Sequence, residues 1–451
     1  MILCKSVKVC WVAAFVAALV LGIFTQAATA GQAASPKVSG QINVMTWSAG
    51  PSQDKTSKDL VKLFQRTHSG TTVNLTILPF DQYAHKLTLL IATGKAPDVF
   101  AAPGDALRYV REGTVIPLDS YYRHDPILGN PNKSRTFANK LTMYDRKHVY
   151  AAQFGALCSM QLYYNRDLFR AAHVSYPTNK WTWNDFLKAA KKLTVRQGGK
   201  IVQWGTDLGY LQGWDGGWQT MAASNGAKKI MDSAFDPHRF RLNQPAVVKS
   251  WQFMQDLIYK YEVAPNPATS TALSQGGTTP FQTGKVAMVP DGCCVLSNYK
   301  TAKFKVGMSL LPRGTTSQRI DPIWAANAGI PFFIAKSSNN KDLAWEWLRW
   351  MAADRKANQA QAASGENCGA PIVKAYDRLF AKGWNSIPGG NACVRSLDRT
   401  QYFQISALNW QKITDTIITP AWDKFVHNKI TAKEMAKTIE PQINDALKSG
   451  S

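Results

Sequence analysis

"QINVMTWSAGPSQDKTSKDLVKLFQRTHSGTTVNLTIL", residues 41 to 78, reads as strand, helix and strand in succession. Residues 41–47 alternate apolar and polar positions with β-favouring types, the pattern of a half-buried strand. Leu60, Val61, Leu63 and Phe64 then make one apolar stripe at helical spacing, and Gly70 ends it. "TTVNLTIL" returns to strand chemistry. Strands that alternate with helices predict a parallel sheet covered on both faces, and hence an α/β fold.

The alternation carries on downstream. "FDQYAHKLTLLIATG" (80–94) predicts a helix with Tyr83, Leu87, Leu90 and Ile91 on one face, and "PDVFAA" (97–102) a short buried strand. "MQLYYNRDLFRAA" (160–172) turns from strand to helix. In "WTWNDFLKAAKKLT" (181–194), Thr182 is the expected N-cap with Asp185 three residues on, a near capping box. Phe253, Met254, Leu257 and Ile258 fall at helical spacing, "KVAMV" (285–289) and "KFKVGMSLL" (303–311) read as strands, and the tail from Gln401 is mostly helical. "KDLAWEWLRWMAAD" (341–354) is an amphipathic helix whose aromatics belong to a core. Trp183, Trp251, Trp345 and Trp350 are assigned to packing or surface.

Upstream, residues 1–30 have a basic start, an apolar run from Trp11 to Phe24 and the exit Ala28-Thr29-Ala30. That is the form of a secretory signal peptide cleaved after Ala30. Residues 31–40 form a linker, and about 420 residues remain, enough for two domains. No cysteine closely follows the apolar run, so no lipid anchor is written there. Subtracting Lys5 and Lys8 from a net charge of +23 leaves +21 on the exported chain. Lys and Arg are scattered rather than run together, which argues against a nucleic-acid groove. Five cysteines follow the signal: Cys158, Cys293, Cys294, Cys368 and Cys393. An odd count leaves at least one unpaired or paired between chains, and Cys368 with Cys393 is the expected disulfide. The histidines and cysteines show no zinc-like spacing, and no catalytic motif of the hydrolase, zinc-protease or Walker kind is present. A glycosidase with carboxylates distant in sequence stays open.

Six segments, "IATGKAPDVFAAPGD", "GTVIPLDSYY", "YYNRDLF", "WTWNDFLKAAKKLT", "FQTGKVAMVPDG" and "NAGIPFFIAKSSNNKDLAWEWLRWM", stand in an order that resembles the extracellular solute-binding proteins of ABC importers. The sugar-binding type, which includes maltose-binding proteins, is the nearest in pattern. The resemblance implies a two-lobed periplasmic-binding-protein-like fold with a hinge and an interlobe ligand cleft. Lobe one would comprise 41–155 plus 326–368, and lobe two 156–325 plus 369–451, with "GENCGAPIV" (365–373) marking the last crossing. It implies capture of a sugar and delivery to membrane permease subunits by a monomer, with no cofactor, no metal and no reaction. An exported carbohydrate-active enzyme and a binder of another solute, such as a polyamine, are the alternatives.

Ligands of open parallel sheets bind beyond the carboxyl ends of the strands. Those ends carry Trp47, Asp105, Phe154, and Asp291 with Gly292. Trp324 and Asn327 stand at the next crossing. "GWDGGW" (213–218) puts Trp214 and Trp218 around Asp215 on glycine-rich chain. The expectation is that at least one of these indoles forms a cleft wall for stacking on a pyranose, with Asp215 accepting hydroxyl hydrogen bonds. The plainer readings are a strand-end core position for Trp47, an Asx turn held by Asp291 and a structural cap at Asp98.

Overall fold

The computed structural model describes residues 38–48, 51–102, 106–135, 145, 147–214, 217–233, 236–274, 279–292, 295–314, 324–364, 371–390, 401–402 and 407–448. The signal-like segment 1–30 and Cys293, Cys294, Cys368 and Cys393 lie outside them, as does the side chain of Cys158. Residues 39–451 form one compact unit. No helix among the described residues is long and apolar enough to cross a membrane.

The strands are β1 (Gly40–Trp47), β2 (Thr71–Leu78), β3 (Val99–Ala101), β4 (Ala151–Asn165), β5 (Val195–Gln197), β6 (Lys200–Gln203), β7 (Met288–Gly292), β8 (Val306–Leu310), β9 (Trp324–Ile334) and β10 (Gln401–Tyr402). Eight of them make one sheet in the order β2-β1-β3-β9-β4-β7, with β10 on β9 and β8 on β4. β5 and β6 form a separate hairpin. β1, β2 and β3 are parallel, as the opening stretch predicts. The rest of the sheet departs from that expectation. β9 is antiparallel to β3 and to β4, and β7 and β8 are antiparallel to β4. β4 keeps the direction of β1–β3 and crosses to the second lobe, and β9, which crosses back, runs the other way beside it.

β4 joins the two lobes. Its residues Ala151–Ser159 pair with β9, and Met160–Asn165 lie between β7 and β8. The first lobe is built on β1–β3 and the helices Pro51–Thr67 and Lys341–Ala353. Phe64 meets Trp347 and Trp350 edge-on at 5.1 and 5.3 Å, and Phe100 lies between Tyr109 and Phe333. Trp345 and Trp350 are both buried. The second lobe packs helices Trp183–Leu193, Pro245–Tyr259 and Ala432–Lys448 around a large apolar cluster that holds Trp183 and Trp251. Its first helix carries the expected capping box between Thr182 and Asp185.

A buried chain of charges locks the first lobe. Arg349 Nε donates to Asp125 Oδ2 at 2.6 Å, and its guanidinium reaches Glu346 Oε1 at 3.4 Å. His68 Nε2 stands 3.2 Å from the same Glu346 oxygen. Asp125 also accepts from the backbone N–H groups of Ile127 and Leu128. These four side chains tie the carboxyl ends of the helices Pro51–Thr67 and Asp119–His124 to the middle of the helix Lys341–Ala353.

Removing one partner of such a set leaves uncompensated buried charge. Arg349→Met is therefore expected to cost roughly 3–5 kcal/mol of folding stability. Denaturant unfolding monitored by far-UV circular dichroism measures it; a loss under 1 kcal/mol contradicts the account.

Candidate functional site

β1, β2 and β3 all run towards the junction of the lobes, so their carboxyl ends meet there, and β4 runs in the same sense and crosses it. β7 and β8 run towards it from the other side, because Gly292 pairs with Met160 and Leu310 with Gln161. A cleft between the lobes is thus edged by strand ends from both.

On the first lobe, Trp47 closes β1 and is partly exposed. Its indole stands edge-on to Tyr83 with ring centroids 5.5 Å apart. Tyr83 is buried and donates its phenol to the carbonyls of Ala101 at 2.6 Å and Met45 at 3.2 Å. Burial pushes that phenol well above its ordinary pKa, so it stays a donor and fixes the ends of β1 and β3 relative to each other. Ser48 follows, its hydroxyl on Asp54 Oδ2 at 2.8 Å and its N–H on Leu78 O at 2.7 Å. Asp98 is structural: it accepts from Asn43 N–H at 2.8 Å and from the Ser338 hydroxyl at 2.5 Å.

On the second lobe, Asp291 is buried and held by its own surroundings. One oxygen accepts from Gly292 N–H at 2.7 Å and the other from the Tyr299 phenol at 2.6 Å. Burial first, and then the Asp291 carboxylate, raises the Tyr299 pKa and keeps it protonated. Tyr163 donates to Gly292 O at 3.2 Å. Both oxygens of Asp291 are engaged within its own lobe and it is 6% exposed; the bond to Gly292 N–H spans a single residue, so it is not an Asx turn.

Beside it stands Asp207, which sequence reasoning missed. Residues 204–207 run alongside β7: Trp204 pairs with Val286, and Asp207 N–H donates to Met288 O at 2.9 Å. Asp207 Oδ1 accepts from Leu208 N–H at 2.8 Å, and Gly209 then turns at φ +50°. A Cβ on Gly209 would lie 2.5 Å from Pro290 O, so only glycine allows this close approach to the end of β7. Burial raises the Asp207 carboxyl to about 6. The signal in the sequence was an acid before glycine in "GTDLGY", amid apolar neighbours.

The tryptophans of "GWDGGW" depart from expectation. Trp214 is 6% and Trp218 1% exposed, and both sit in the second-lobe core. They form one block with Trp251 and Trp422, ring centroids 5.0–6.5 Å apart. Trp218 Nε1 donates to Trp214 O at 2.6 Å. Neither indole is a cleft wall. Gly217 serves closeness rather than bending: its φ is −77°, and a Cβ there would come within 2.7 Å of Met160 Cε and 2.9 Å of Leu211 Cδ2. The segment can therefore drop two indoles straight into the core. Asp105 and Asp215 lie outside the described residues, as do the side chains of Phe154, Trp324 and Asn327. The backbone places Phe154 opposite Ile330 and Asn327 opposite Cys158, at the crossing of the lobes.

The family of bacterial extracellular solute-binding proteins matches residues 49–358. Solved structures share the fold over nearly their whole length. An ABC substrate-binding protein from Listeria monocytogenes, in complex with cycloalternan, is 24% identical with a TM-score of 0.76, covering 91% of this chain and 99% of that one. A maltose/maltodextrin-binding domain from Bdellovibrio bacteriovorus, bound to maltotriose, is 15% identical with a TM-score of 0.67 over 91% and 100%. A Mycobacterium tuberculosis protein in complex with glycerophosphocholine is 16% identical with a TM-score of 0.72 over 91% and 99%.

Two outcomes are expected. Trp218→Ala removes a buried indole and should cost roughly 3–5 kcal/mol in denaturant unfolding. Asp207 has a folded pKa of about 6 against an unfolded value near 3.8. Its burial therefore costs stability above pH 6, and that cost disappears as pH falls towards 4, worth about 3 kcal/mol. Asp207→Asn removes the charge, so the wild type should gain on the variant between pH 7 and pH 4. A stability difference that stays constant over that range sinks the assignment.

Proposed function

Because the chain belongs to the bacterial extracellular solute-binding proteins, we propose that it captures a sugar or oligosaccharide between its lobes, outside the cytoplasm, and hands it to the permease of an ABC importer. Binding is followed by closure about the crossing strands and by release to the permease, with no bond broken. The observation that carries the reading is Trp47, a partly exposed indole at the carboxyl end of a parallel strand, braced by the buried Tyr83. An aromatic face held rigidly at a strand end suits the apolar face of a pyranose, and ligand pockets combine such faces with a few polar groups. Ligands named for structurally similar proteins, cycloalternan and maltotriose among them, support a saccharide over other solutes.

The polar groups of the site belong to Asp105, Asp215, Gly292 and Asn327, with Phe154 and Trp324 as further aromatic surface. The lobes comprise 41–155 with 326–368, and 156–325 with 369–451. Export uses residues 1–30 as a signal peptide, and the exported protein acts as a monomer without nucleic acid.

A thermal-shift panel of maltodextrins, cyclic glucans, monosaccharides, polyamines and glycerophosphodiesters tests the reading, since a ligand bound only by the folded state raises Tm. A saccharide is expected to raise it and to be recovered intact after long incubation. Trp47→Ala should then weaken that saccharide about tenfold, roughly 1.4 kcal/mol, with little change in stability. A response confined to polyamines or phosphodiesters would replace the substrate class, and release of shorter sugars would make the protein an enzyme.

A further inference from the structure

Away from the crossing strands, an ion pair among the described residues joins the two lobes. Arg111 closes the helix Ala106–Arg111, which starts just beyond the carboxyl end of β3 on the first lobe. Its guanidinium donates to the Asp236 carboxylate, 125 residues further along the chain. Asp236 belongs to the second lobe, on the loop between Met231 and Phe240, which themselves pair across the loop base. Both partners keep contact with solvent, with side chains 40% and 25% exposed.

Each end is built in advance. The helix carrying Arg111 buries Leu107 and Tyr109, and the Tyr109 ring packs edge-on against Phe100 in the first-lobe core. Gly113 then turns it off in the left-handed region at φ +64°. On the other side, the Asp232 carboxylate accepts the backbone N–H groups of Ser233, His238 and Arg239. Asp236 has φ +49°, a left-handed backbone that aspartate tolerates better than most residues. The base of the loop is pinned where Phe240 stacks on Trp410 and its N–H donates to Asn444. Little ordering is therefore left for the contact itself to impose.

A second ion pair, Arg135 with Asp377 at 2.8 and 2.9 Å, lies at the return crossing of the chain. It is nearly buried on the arginine side and sits beside the paired segments 133–135 and 371–374. That pair stays near the pivot. Arg111 and Asp236 sit on separate lobes, outside the crossing strands, so opening separates them.

We propose that Arg111–Asp236 is an electrostatic latch that holds the ligand-free protein partly closed. A contact made in only one of two lobe arrangements shifts the population towards that arrangement by its own free energy and no more. An exposed pair of this kind shifts the ratio of closed to open molecules about two- to fivefold. It also makes that ratio depend on salt, which the buried contacts of the hinge do not. The inference rests on the two-lobed fold and not on the identity of the ligand.

The test uses small-angle X-ray scattering of the ligand-free full chain, at low salt with a Debye length of about 30 Å and near 1 M salt, where it is about 3 Å. The wild type is expected to be more compact at low salt and to expand at high salt. Arg111→Glu should be expanded in both, with no salt response. The reciprocal pair Arg111→Glu with Asp236→Arg should restore compaction at low salt. Asp236→Asn serves as the single variant should Arg111→Glu melt early by circular dichroism. A wild-type radius of gyration that is the same in both salts and equal to that of the single variant overturns the latch, and so does a reciprocal pair that fails to restore it.

Discussion

Everything in the molecule turns on the register of β4. Fifteen residues of extended chain are shared between two bodies, the first nine paired with β9 and the last six clasped by β7 and β8. Main-chain hydrogen bonds fix each half to its own lobe, and a slip of one residue would turn every side chain to the wrong face. The irregularities in the β4–β9 pairing fall between Phe154 and Leu157 and between Cys158 and Ser159, where the strand passes from one lobe to the other. A bulge there bends the ladder without ending it.

The two lobes solve their packing problems differently. The first relies on aromatic edges and a buried chain of Asp125, Arg349, Glu346 and His68, a geometry that works only if every partner is present. The second relies on indole bulk, with four tryptophans filling the space that a run of aliphatic side chains would otherwise take. Tyr83 ties the ends of β1 and β3 in the first lobe, and Tyr299 holds the end of β7 in the second.

Much of this was legible in the chain. Thr71–Leu78 is the strand the alternation predicts, and Thr182 with Asp185 caps its helix as the spacing requires. Local rules govern both, since the strand is patterned within itself and the cap closes within three residues. The antiparallel half of the sheet was not legible, because strand direction depends on where β9 returns, not on its composition. "KVAMV" shifted forward to Met288–Gly292 because Lys285 and Ala287 bond instead to Trp204, a partner eighty residues away. Glycines around Trp214 and Trp218 suggest freedom to bend. Gly217 instead admits a neighbour, since absent side chains also permit close contact. Asp207 escaped notice for a related reason: a single acid carries no periodicity, and only the fold reveals that it is buried beside a strand end.

The tryptophan block has an optical consequence. Four indoles within 5.0–6.5 Å of one another will pass excitation among themselves before any of them emits. Trp214 lies just four residues from Trp218 in the second-lobe core, so a change in that core alters a shared emitter rather than a solitary one. The protein carries a built-in fluorophore whose signal reports the lobe as a whole.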